Sequence, residues 1–322
     1  MQVTNQSTAK QRIAAVIVSY NRKDLLERVL AGVYSQTRSV DEVIVVDNGS
    51  TDGSRDMLAQ RYPDALVIRS RNNAGGAGGF AKGISYAAHS YDYAWLMDDD
   101  AIPEETCLEL LLQPFDRYGY QHVAFSCPQV TDASGNTGPR NYPVPTIDFP
   151  EIYRMASDSW LPVSAATFVG PLINLKLAKL THAPLEDFFI WHDDFEYTTR
   201  LARRGAGVSV PAAHIMHLAA NPGPDHYNAS RNREHVRNLV WWWRELGKDD
   251  AAAQRRLGLR ILLSMRHQFL LAPQKLQYFR VVLSALREGI FTAPRHRGFE
   301  EIRQESSSTD VFLRGLQQLN HA

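Results

Sequence analysis

Through the first hundred residues, short β-branched runs alternate with stretches in which apolar residues recur every three or four positions. These period-two and period-3.6 signals predict a strand over Ile13–Val18, a helix over Lys23–Ser35 and a strand over Glu42–Asp47. A helix over Ser54–Arg61, a strand over Leu66–Arg69, a helix over Gly79–His89 and a strand over Tyr93–Met97 follow, the last running straight into Asp98-Asp99-Asp100. Such alternation predicts an α/β domain with a mainly parallel sheet, right-handed crossovers and helices on both faces. Ligands on sheets of this type gather at the carboxyl ends of the strands.

Beyond that point the pattern changes. Thr131–Pro150 is rich in Gly, Pro, Asn and Asp and reads as a long loop. A strand near Ala165–Val169, a helix from Asp193 to Arg204 closed by Gly205, and a strand near Val208–Met216 come next. From Tyr227 the pattern is helical to the end, broken at Gly247, Pro273 and Pro294.

Composition narrows the classes. At 322 residues with 44% hydrophobic content, the chain can bury a sizeable core. Its 35 basic and 35 acidic residues balance, which argues against a general nucleic-acid binder. Locally the balance tips: Ala251–Arg297 holds nine Lys or Arg against the single acid Glu288, a pattern suited to an anionic membrane surface or to an ordinary solvated helical face. Cys107 and Cys127 have no disulfide framework around them and read as buried thiols. The segment Met1–Arg12 is polar, and no run of about 18 apolar residues occurs, so the expected compartment is the cytoplasm without a membrane span.

Three predicted strands deliver polar groups to one edge: Ser19-Tyr20-Asn21, Asp47-Asn48-Gly49-Ser50 and Asp98-Asp99-Asp100. Adjacent carboxylates repel unless a cation or donors neutralise them, so the acidic triplet suits Mg²⁺ or Mn²⁺ shared with a substrate diphosphate; an acidic turn ahead of a helix is the plainer alternative. Asp47 either caps the next helix or accepts bonds from a pyrimidine or ribose. Asn73-Ala74-Gly75-Gly76-Ala77-Gly78-Gly79 reads as a loop whose backbone approaches a ligand closely. Gly76, Gly78 and Ala81 also fit a loose dinucleotide fingerprint, but the glycines do not follow the first strand.

Trp191-His192-Asp193-Asp194-Phe195-Glu196 opens a helix, where the dipole favours carboxylates. Capping accounts for one acid, not three, and a carboxylate there is placed to act as general base toward a hydroxyl, with Glu196 in reserve. Trp191 is a candidate for packing on a sugar face. His217, at a strand end, offers a nitrogen ligand to the same ion.

In order along the chain, Val16–Arg22, Val45–Asp52, Asp98–Asp100 and Asp193–Glu196 resemble the motifs of family-two glycosyltransferases with the GT-A fold. Asn73–Phe80, Trp95–Asp100 and Trp191–Asp194 are most similar to bacterial galactofuranosyltransferases of cell-wall synthesis, which use UDP-galactofuranose. The resemblance implies a Rossmann-like mixed sheet, a catalytic domain over 1–225 and a C-terminal helical region over 226–322. It implies that Asp98 and Asp100, with His217, hold Mn²⁺ or Mg²⁺ and the diphosphate. It further implies Asp194 as base supported by Asp193, and Asp47 on the uridine. Ser19, Asn21, Asn73, Gly75, Gly76, Gly78, Gly79, Asp99, Trp191 and Glu196 are then expected around the donor and a glycan or polyprenyl-linked acceptor. Arg231-Asn232 is similar to an Arg-Asn pair in many relatives. The implied reaction is a single inverting displacement. A dTDP-rhamnose donor and a non-catalytic nucleotide-sugar binder are the alternatives.

Overall fold

Ile13–Ser19 (β1) is buried at every position, because it runs through the middle of a sheet covered on both faces. The computed structural model describes residues 11–138, 141–218, 229–248 and 250–314. After β1 come helix α1 (Lys23–Tyr34), β2 (Glu42–Asp47), α2 (Ser54–Arg61), β3 (Leu66–Arg69), α3 (Gly75–Ser90) and β4 (Tyr93–Asp98). Next are β5 (Ala101–Pro103), α4 (Cys107–Tyr118), β6 (Val123–Thr131), β7 (Val144–Pro145), α5 (Phe149–Ala156), β8 (Leu161–Ala165) and β9 (Leu172–Asn174). A short α6 (Leu175–Ala178) precedes α7 (Asp193–Ala202) and β10 (Ala206–His217). The rest is α8 (Ala229–Leu246), α9 (Ala251–Leu271), α10 (Lys275–Phe291), α11 (Phe299–Thr309) and β11 (Val311–Leu313).

The strand order is β11-β3-β2-β1-β4-β9-β6-β10-β8-β7, with β5 on the end of β10. The β3-β2-β1-β4 half is parallel, as the early alternation predicts. The other half is mixed: β9 lies antiparallel between β4 and β6, and β8 antiparallel to β10. Period-two alternation sorts β1 between two cores. Ile13, Ala15 and Ile17 pack with α1 and α4, while Ala14, Val16 and Val18 pack with α3.

Four expectations change. First, α3 begins at Gly75, not Gly79, so the glycine run is helix. A Cβ on Gly79 would stand 2.5 Å from Val18 Cγ1 and one on Gly83 2.3 Å from Val16 Cγ1; glycine at these i, i+4 positions lets the helix lie tight on β1. Second, Ala165–Val169 is not a strand. The Thr198 hydroxyl bonds both the amide and the carbonyl of Ala166, and Gly170 turns the chain at φ +86°, so the strands fall on either side. Third, the loop over 131–150 contains β7 and the start of α5. Fourth, the C-terminal region is not helical throughout, since β11 adds an antiparallel edge to β3. Met1–Lys10, Pro139, Arg140, Tyr227 and the boundary at 225/226 lie outside the described residues.

Cys107 and Cys127 are free and buried, and burial pushes the Cys127 thiol up to about 12. Among the described residues no helix is long and apolar enough to cross a membrane.

Candidate active site

Strand register brings the polar termini together. Ser19 pairs with Asp47 across β1 and β2, and Val18 with Asp98 across β1 and β4, so three carboxyl-terminal ends share one edge. His217 reaches the same place from β10 because β5, which follows the triplet directly, pairs antiparallel with that strand's end and sets His217 opposite Ala101.

The three aspartates of the triplet face different partners. Asp99 is buried and accepts from the Tyr20 amide at 3.1 Å and from Arg22 at 3.3 Å, holding the β1–α1 turn. Asp100 is buried between Arg22 Nη1 and His217 Nε2, the latter 3.0 Å away. Asp98 keeps partial access to solvent. Burial raises the Asp98 carboxyl to about 7, helped by Asp100 and opposed by His217. Burial also works against ionised Asp100, but the His217 bond and Arg22 outweigh it and hold its pKa below the usual range. One ligand atom each from Asp98, Asp100 and His217 lies within 4.8 Å of the others. Two carboxylate oxygens and an imidazole nitrogen suit a divalent ion of the Mg²⁺ or Mn²⁺ type with positions left for substrate oxygens.

At β2, Asp47 Oδ1 accepts from the Ser50 amide at 2.8 Å, so it holds the turn after β2 and does not cap α2, which begins after Gly53. Its Oδ2 faces the Arg69 guanidinium at 3.5 Å, and Asn48 Oδ1 is buried without a hydrogen-bond partner among the described residues, a demand that a ligand donor can meet. Asn21, at φ +53°, clips the first two loops by accepting from the Thr51 amide at 2.8 Å. Asn73 is exposed and accepts from the Gly75 amide. Gly75, Gly78 and Gly79 are buried in packing, whereas a Cβ at Gly76 would meet nothing within 4 Å.

Opposite the triplet, Phe189, Trp191 and His192 have φ of +63°, +75° and +70°, just ahead of Asp193 and Asp194. Non-glycine residues in this region cost about 1–3 kcal/mol each and persist only where surroundings over-determine them. Here α8 supplies the surroundings. Asn238 Nδ2 donates to the carbonyls of Phe188, Ile190 and Trp191, each at 2.9 Å, and its Oδ1 accepts from Arg237. His192 Nε2 meets His235 Nδ1 at 2.9 Å, and His235 Nε2 meets Ser264 Oγ at 2.8 Å. Burial lowers both imidazoles, His235 to about 4, so the pair is neutral and shares one hydrogen.

Asp193 is buried, while Asp194 stays partly open and accepts from the Phe195 amide at 2.7 Å. Burial lifts Asp194 to about 6, and burial with the Asp194 charge lifts Asp193 well above the usual range. Asp98 and Asp194 are close enough for one charge to act on the other. Glu196 is committed elsewhere, in a buried pair with Arg200 at 2.6 Å. Trp191 packs its ring edge-on to His235.

Sequence reasoning passed over Arg22, Asn238 and His235. Arg22 sits inside the first motif and carried a local signal. The other two are ordinary positions on a helix more than forty residues from the turn they support.

The glycosyl transferase family 2 model matches residues 14–171. Galactofuranosyltransferase GlfT1 of Mycobacterium tuberculosis is 32% identical over 212 residues, 64% of this chain and 70% of that protein. The Mycolicibacterium smegmatis enzyme of the same name is 30% identical over 204 residues, 62% and 68% of the two chains. Among solved structures, a mannosyltransferase from Pyrobaculum calidifontis in complex with GDP-Man and Mn²⁺ superposes with TM-score 0.54 at 19% identity, over 89% of this chain and 77% of that one. GalNAc-T7 with UDP, GalNAc and Mn²⁺ gives 0.57 at 13%, over 94% and 57%. Both likenesses establish the GT-A fold.

Proposed function

The chain belongs to glycosyl transferase family 2 and is a glycosyltransferase, and from that premise we propose that it moves galactofuranose from UDP-galactofuranose to a hydroxyl of a lipid-linked glycan, with inversion, in cell-envelope polysaccharide synthesis. The observation that carries the chemistry is the division among the acids. Asp98 and Asp194 keep access to the site, while Asp99, Asp100 and Asp193 are buried behind them.

In this reading Asp98, Asp100 and His217 hold Mn²⁺ or Mg²⁺, which when bound stabilises the leaving diphosphate. Asp47, Asn48 and Ser19 take the nucleoside, with the unmet acceptor oxygen of Asn48 receiving one of its donors beside the Arg69-paired Asp47. Trp191 and the open position at Gly76 border the sugar. Asp194 removes the acceptor hydroxyl proton as that oxygen bonds to the anomeric carbon from the face opposite the diphosphate. The carbon–oxygen bond to the diphosphate breaks, and its electron pair leaves with UDP. A carboxylate raised to about 6 is a stronger base than an ordinary aspartate and is still ionised at neutral pH. Buried Asp193 and the Asn238 clamp keep Asp194 in place.

The donor assignment rests on the 32% identity to GlfT1. In this reading residues 1–225 carry the catalytic groups and 226–322 is a mostly helical region that braces them and returns β11 to the sheet, working in the cytoplasm at the inner face of the membrane where a polyprenyl-linked acceptor resides. Competition among UDP-galactofuranose, UDP-galactopyranose and dTDP-rhamnose, with a lipid-linked disaccharide acceptor, tests the donor. Fastest transfer from the furanose is expected. Preference for either of the others overturns the donor while leaving the family intact.

A further inference from the structure

Helices α9 and α10 each pack on α8 and meet each other near the turn that joins them, sealed to α8 by Leu257 and Ile261 on one and Tyr278, Val282 and Ala285 on the other. Their two aromatic ends meet where Phe269 and Phe279 stand 5.3 Å apart. With that side buried, their opposite faces need only be polar to be stable in water. They are not.

On α9, Leu259, Leu263 and Leu270 are 58%, 53% and 62% exposed. At 100° per residue these three form one stripe, with Arg255 and Arg266 along one flank and Arg256 and Arg260 along the other. On α10, Leu276, Leu283 and Ile290 make a second stripe beside Arg280 and Arg287, and Phe291 at its end is 80% exposed. The one acid of the two helices, Glu288, turns inward onto Arg233 and Arg237 of α8. The outer stripe of each helix is therefore apolar and cationic, with no carboxylate on that side to offset the charge.

We propose that this α9–α10 face docks the protein on an anionic lipid bilayer, its leucines entering the acyl boundary and its arginines meeting the headgroups. Apolar stripes edged with arginine fit that boundary because the long side chains bury their stems and keep the charge at the surface. A second copy placed on the same face would set cation against cation, so charge selects an anionic partner. The purpose of docking rests on the lipid-linked-acceptor reading above; the binding itself does not. α8 connects the two, since its inner side carries Asn238 on the turn ahead of Asp194 and its outer side carries α9 and α10.

The test is co-sedimentation of the full chain with phosphatidylcholine vesicles with and without phosphatidylglycerol, for wild type, for Leu263→Ser with Leu283→Ser, and for Arg260→Ser with Arg280→Ser. All four positions are exposed, so folding is retained, and circular dichroism checks it. Wild type is expected to pellet only with the anionic vesicles, and less so in high salt. Each arginine removed should weaken partition about fivefold, and the leucine pair should lower binding at every salt concentration. Equal binding to neutral vesicles, or none to either, overturns the proposal. So does a wild-type dimer in solution that the leucine variants disperse, which assigns the face to a second copy. UDP release with a soluble acceptor, unchanged in both variants, keeps this result separate from the catalytic reading.

Discussion

Asn238 Nδ2 donates to the carbonyl oxygen of Trp191 across 2.9 Å, tying a fully buried helix side chain to the turn that delivers Asp194. The same nitrogen serves Phe188 and Ile190, so one amide holds three carbonyls of a backbone that would otherwise leave its left-handed conformations. Asn238→Ala removes their donor. It should cost about 1–3 kcal/mol of stability and lower kcat more than it changes UDP affinity, measured by thermal melting, UDP-release kinetics and calorimetry. Full kcat in a correctly folded variant would mean the turn holds itself.

Asp194→Asn keeps size and removes basicity. Transfer should fall by ~10²–10⁴-fold with little change in UDP affinity. Near-normal turnover would move the base elsewhere. Glu196→Gln is a useful contrast, because Glu196 is paired with Arg200, and its loss should appear in melting temperature ahead of rate.

Protonation gives opposite slopes for stability and activity. Asp194 is raised from 3.8 unfolded to about 6 folded, chiefly by burial, so between those values the native state binds more protons than the unfolded one. Stability contributed by this group is full below pH 3.8 and is lost as pH rises through about 6. Activity needs the ionised form and should rise over the upper part of the same window. Melting temperature and kcat measured against pH should cross in this way in wild type, and Asp194→Asn should flatten its share of the stability slope.

UDP and the acidic triplet repel each other unless a cation lies between them. Chelation should abolish transfer, and Asp98→Asn should weaken Mn²⁺-supported UDP binding by at least about 10- to 100-fold, the range seen when groups supporting a metal site are lost. Calorimetry showing equal UDP affinity with and without chelator would remove the metal from the assignment.

Much of this is legible in the sequence. The spans of β2, α2 and β3 follow from β-branched runs and turn residues at their ends, since local pattern and tertiary position agree there. The carboxylates stood out because strand ends put them on one edge. The glycine run misled, because its helix is stabilised by contact with Val16 and Val18, which propensity does not register. β11 was invisible for a similar reason, being three residues that become a strand only by pairing with β3, more than two hundred residues earlier. Asn238 and His235 likewise act through long-range geometry.

The most direct measurement incubates wild-type enzyme and Asp194→Asn with UDP-galactofuranose, Mn²⁺ and a lipid-linked disaccharide, and reads the anomeric configuration of the product by NMR. The expected result is a galactofuranosyl product of configuration opposite to the donor from wild type, and a trace of the same product from the variant. Retained configuration, or equal yield from the two proteins, would contradict direct displacement with Asp194 as base.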